Sequence, residues 1–93
     1  MKKTQANELG DKLNIPASRA LEAVIKAQLI AAIVKTAKKK GLTHEVLAER
    51  SGLPRSAVTG ILAGSVQKVT INRVLRLVEA AGLVAEVKVK EVA

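Results

Sequence analysis

Between Leu42 and Gly64 the chain reads LTHEVLAERSGLPRSAVTGILAG, and its punctuation predicts two short helices joined by a tight turn. Thr43 is a good N-cap, with Glu45 and Glu49 in the helix that follows and Val46, Leu47 and Ala48 as its apolar positions. Gly52 ends that helix, since a left-handed backbone costs glycine little. Pro54 starts the next helix, where its missing N–H is not needed. Val58, Ile61 and Leu62, at i, i+3 and i+4, give the second helix one buried stripe, and Gly64 closes it. Small Ala48 lets the two helices cross closely. The outward face of the second helix carries Arg55, Ser56, Thr59 and Gly60, none of them acidic and none bulky.

Such a face fits a DNA major groove, where side chains reach base edges. The same pattern also describes an ordinary αα-hairpin with a solvated polar face. Charge weighs between them. Sixteen Lys and Arg against eight Asp and Glu leave a net charge of +8, which suits a polyanionic partner. An anionic membrane surface is the competing electrostatic reading. The chain has no Phe, Tyr or Trp, so its core must be aliphatic and it cannot stack bases on aromatic rings, as many single-strand and RNA binders do. Absence of cysteine excludes disulfides and thiolate metal sites. Neither an uncharged apolar run of membrane-spanning length nor a signal-peptide segment is seen, so a soluble cytoplasmic protein is expected.

The 93 residues predict one domain with flanks. Residues 1–15 are polar and mixed in charge and read as a mobile arm or marginal helix. Lys2, Lys3 and Lys12 in it would either touch a phosphate backbone or belong to a solvated tail. Pro16 and Ser18 mark the start of a long helix that runs to about Lys40 and stops at Gly41. Leu21, Ile25, Leu29 and Ala32 fall on one face of it, and Ala23, Ala27, Ile30 and Val34 on nearly the opposite face. A helix that is apolar almost all round should be buried on more than one side, so the second face is expected to meet another subunit. Lys38, Lys39 and Lys40 suit the negative end of the helix dipole and would also lie well beside DNA phosphates.

After the hairpin comes a polar loop with Ser65, Gln67 and Lys68. Thr70 caps a further helix whose buried positions are expected to be Ile71, Val74, Leu75 and Val78, with Gly82 as its stop. The segment LVAEVKVKEV then alternates, with Leu83, Ala85, Val87 and Val89 on one face and Glu86, Lys88 and Lys90 on the other. That is the pattern of a half-buried β-strand. A strand needs a ladder partner, and the simplest is the same strand of a second copy across a two-fold axis. A frayed tail that orders only on another protein is the alternative.

These residues resemble the Cro-like (XRE) phage-repressor helix-turn-helix family. The resemblance rests on Leu42-Thr43, Leu47-Ala48, Gly52-Leu53, Ser56, Val58, Ile61 and Gly64 at the family's spacing. The long preceding helix and the closing AGLVAEVKV look like its HigA-like branch of small antitoxins and repressors. The resemblance implies a mainly α fold: a lambda-repressor-like bundle of four to five helices over residues 16–82, with residues 83–93 as a β-strand pairing across a homodimer. It also implies base contacts from Arg55, Ser56, Thr59 and Gly60, and phosphate contacts from Thr43, His44, Ser65, Gln67, Lys68 and Arg73. The chain departs from the family in three places. His44 stands where Gln is usual, Gly60 where a larger reader is usual, and Pro54 where a Ser or Thr cap is common.

Two functions follow as expectations. One is a dimeric, sequence-specific double-stranded DNA-binding regulator, a repressor of a pseudo-palindromic operator. The other is a HigA-like antitoxin that binds a toxin protein and autoregulates its operon. No cofactor or metal is implied. Catalysis is not expected, since His44 is the only histidine and has neither a cysteine nor a tyrosine to work with. Nor is there a phosphate-cradling glycine-rich loop.

Overall fold

The structure is a computed structural model in which residues 17–92 are described. The arm at 1–15, with Lys2, Lys3 and Lys12, lies outside the described residues. The described chain holds four helices: α1 (Ala17–Lys40), α2 (His44–Ser51), α3 (Arg55–Leu62) and α4 (Ile71–Ala80). None is long and apolar enough to cross a membrane.

Local chemistry sets the ends of these helices. Thr43 accepts from the Val46 N–H and caps α2, and Thr70 does the same for α4 through Arg73 N–H. Pro54 stands at the N-cap of α3 with no side-chain hydrogen bond; it contributes a fixed φ of −60° and a carbonyl that accepts from Val58 N–H. α1, α2 and α4 share one ending, a glycine at positive φ followed by a leucine: Gly41-Leu42, Gly52-Leu53 and Gly82-Leu83. At α1 and α4 the leucine N–H bonds back five residues, to Ala37 and Val78. Each of the three leucines then packs in or against the core.

That core is aliphatic. Ile33, Leu47, Val58, Val74 and Leu77 are fully buried at its centre. α1 packs along α4, α2 packs on both α3 and α4, and α3 also touches α1. Ala48 is half-buried against this core.

The buried faces differ from expectation in two helices. On α1 the stripe is Lys26, Ile30, Ile33 and Ala37, with Leu29 half-buried at its edge. Ile30, expected at a subunit interface, lies in the chain's own core, whereas Leu21, Ile25 and Ala32 are exposed together with Ala23, Ala27 and Val34. A helix that is apolar almost all round has no periodicity that selects one face, so packing against α4 makes the choice. On α4 the buried positions are Val74, Leu77, Val78 and Ala80, and Ile71 and Leu75 lie exposed. α4 is covered by α1 and α2 together, and Leu77 falls inside the arc they cover.

No strand forms among the described residues. Leu83 is taken up in closing α4, and beyond it Val84, Val87, Val89 and Val92 are 87–90% exposed. An alternating segment has no ladder to join among the described residues.

Two glycines separate backbone conformation from space. A Cβ on Gly52 or on Gly60 would meet nothing within 4 Å, but Gly52 has φ 74° whereas Gly60 lies inside α3. Gly52→Ala is expected to cost about 1–2 kcal/mol, and Gly60→Ala to stabilise by about 0.5–1 kcal/mol. Urea unfolding of the two variants checks the opposite signs.

Candidate nucleic-acid interface

α3 presents a face set by its own periodicity. With Val58 and Ile61 buried, Arg55, Ser56, Thr59 and Ala63 share the exposed arc, and half-buried Gly60 stands at its margin. Every side chain on that arc is short except Arg55. Nothing acidic stands among them.

His44, the first residue of α2, is joined to this face. Its Nδ1 lies 2.9 Å from Thr59 Oγ1. Thr43 beside it uses a hydroxyl lone pair for the α2 cap and keeps its O–H to donate outward. Two of the six residues expected at phosphates therefore sit at the N-terminus of α2, and one of them touches a residue expected at a base.

The loop between α3 and α4 is held on three sides. Ser65 N–H donates to Gly60 C=O and Val66 N–H to Gly64 C=O. From α1, Lys26 Nζ donates to Val66 C=O at 3.3 Å, and Val69 is buried. Ser65, Gln67, Lys68 and, one helical turn on, Arg73 project from this anchored segment and are exposed. Among the described residues the one ion pair is Lys26–Glu22, at 2.8 Å, so Arg55, Lys68 and Arg73 keep their charges for an outside partner.

Sequence reasoning missed one contributor. Lys26 is 5% exposed and works from inside the fold as a tether for the loop. A lysine amid apolar positions of a helix, four residues after a glutamate, was the available signal. Lys38, read chiefly as a dipole partner, shares with Val34, Leu42, Leu62, His44 and Thr59 a cleft of about 400 Å³ beside the α3 face. Lys40 instead donates to Ala81 C=O at the C-terminal end of α4, and Arg50 donates to Ala80 C=O. Of the residues expected at a dimer interface, Ala23 and Ala27 are exposed on α1, and Ala85, Val87 and Val89 are exposed on the segment after α4, with Leu83 half-buried. Among the described residues no cluster of acidic and histidine side chains exists that could hold a metal ion.

Compared with known families, residues 14–90 match the family described as helix-turn-helix domain. Comparison with curated proteins and with solved structures gave no match.

The tether is testable. The hydrogen bond and charge of Lys26 hold the Glu22 carboxyl below the ordinary glutamate range, so the pair is intact at neutral pH and is lost as pH falls through that lowered value. Lys26→Met keeps the side-chain volume and removes both contacts. About fivefold faster hydrogen exchange at the Ser65 and Val66 amides is expected, with the α2 amides unchanged.

Proposed function

The chain belongs to the helix-turn-helix domain family, and from that premise we propose that it is a sequence-specific double-stranded DNA-binding regulator, a cytoplasmic repressor that works without a cofactor and catalyses no reaction. The observation that carries this is the exposed arc of α3, where Arg55, Ser56 and Thr59 have no acid among them and Arg55 has no ion pair among the described residues, flanked by the anchored loop of Lys68. Arg55 suits a bidentate contact to guanine O6 and N7. Ser56 and Thr59 suit single hydrogen bonds, and the Thr59 methyl suits a thymine methyl. Gly60 allows close approach of the helix and reads nothing itself. Thr43, His44, Ser65, Gln67, Lys68 and Arg73 fit phosphate contacts that fix register without reading sequence.

Dimerisation is part of the proposal. Leu83, Ala85, Val87 and Val89 alternate on a segment that forms no strand among the described residues, and pairing 83–93 with its copy would supply the missing ladder. The two α3 helices would then meet successive major grooves about 34 Å apart on a pseudo-palindromic site. The same exposed segment favours, as a second reading, an antitoxin whose terminal residues bind a toxin protein.

Binding to the duplex upstream of the protein's own gene, against a scrambled duplex at two salt concentrations, tests the reading. A preference of about a thousandfold for the native duplex is expected. Arg55→Ala should lose about 1–3 kcal/mol on that duplex and little on the scrambled one. Lys68→Ala should weaken both and reduce the salt slope by about one. Equal losses on both duplexes for Arg55→Ala would sink its reading role.

A further inference from the structure

The 2.9 Å contact between His44 Nδ1 and Thr59 Oγ1 contains one hydrogen, and that hydrogen can belong to either residue. A neutral imidazole protonated on Nε2 accepts from the Thr59 O–H at Nδ1. An imidazolium is protonated on both nitrogens and donates from Nδ1 to Thr59 Oγ1. In the first arrangement threonine has only lone pairs left to offer a third group. In the second its hydroxyl hydrogen is free.

A phosphate next to His44 selects between the neutral tautomers. It accepts and cannot donate, so it holds the ring proton on Nε2 and leaves Nδ1 to accept from Thr59. Protonation reverses the Thr59 bond without breaking the phosphate contact. The charged group sharing the cleft with this pair is Lys38 of α1; of α3, the cleft receives Thr59, Leu62 and Ala63 but not Arg55. None of Arg73, Arg76 or Glu79 of α4 lines it, and on α2 itself the neighbouring charge in sequence is Glu45.

Resting on the DNA-binding reading above, we infer that His44 is a specificity-determining residue: its protonation state sets which bases Thr59 reads. With His44 neutral, Thr59 presents lone pairs, which match the amino groups of adenine N6 and cytosine N4. With His44 cationic, Thr59 donates to the keto oxygens, guanine O6 or thymine O4. The preference therefore turns over when the ring gains its second proton. Gln, usual at this position in the family that the sequence resembles, has no such transition.

The test is selection from a randomised duplex library at about pH 5.5 and about pH 8, with the wild type, His44→Gln and Thr59→Val. The wild-type ratio of amino to keto bases at one position is expected to fall about fivefold at the lower pH. Both variants are expected to give one ratio at both pH values. In the wild type bound to a selected duplex, ring nitrogen shifts should show the proton of His44 on Nε2 at the higher pH. A wild-type consensus that is the same at both pH values overturns the inference alone. So does a turnover that persists in Thr59→Val, or a ring proton on Nδ1 at the higher pH. No consensus at either pH overturns the DNA-binding reading, and the inference falls with it.

Discussion

The position of α3 rests on an aliphatic core that it shares with all three other helices. Val58 and Ile61 reach inward from α3 to the cluster of Leu47, Val74, Leu77 and Ile33, and four of those six side chains come from helices other than α3. No aromatic ring is available to fill space, so contact must come from close approach of the helices. Close-packed interiors do not deform smoothly. The inward grip on Val58 and Ile61 therefore fixes the rotation of α3 about its axis, and with it the residues on the opposite arc. Arg55, Ser56 and Thr59 owe their common direction to residues that never meet a partner.

Positive charge is divided between two tasks. Lys26, Lys40 and Arg50 turn inward and bond the carbonyls of Val66, Ala81 and Ala80. Those oxygens lie in the loop before α4 and at its C-terminal end, where the exposed end of the helix dipole favours a cation. α4 is thus clasped along its length from α1, with Lys26 near one end and Lys40 at the other. The net charge of +8 overstates what a polyanion would meet, because some of it stabilises the fold. What remains around α3, with Arg55 on it, Lys38 beside it and Lys68 and Arg73 beyond it, is not neutralised by any acid among the described residues.

Features governed by neighbours in sequence were legible without a structure. Thr43, Gly52, Pro54, Thr70 and Gly82 act through their own backbone or within one helical turn, so their roles follow from residue type and place. The arc of Arg55, Ser56 and Thr59 was legible for the same reason, because Val58 and Ile61 admit only one inward direction. Features set by other elements were not. α1 offers apolar residues on nearly every side, and only contact with α4 decides that Ile30 and Ile33 turn inward while Leu21 and Ile25 do not. Leu77 displaces Leu75 from the core of α4 on similar grounds. The alternation after Leu83 describes a strand that has no partner among the described residues. The bond between His44 and Thr59 spans fifteen residues and depends on how α2 crosses α3.

The arc of α3, with the start of α2 and the anchored loop, is the surface proposed to meet DNA. Backbone amide shifts measured while the duplex upstream of the gene is added to the labelled protein test it most directly. The largest changes are expected on residues 43–45, 55–60 and 65–68, with α1 before Lys26 little affected. Changes of equal size on scrambled DNA, or changes confined to Lys38–Lys40 and the segment after Leu83, would contradict it.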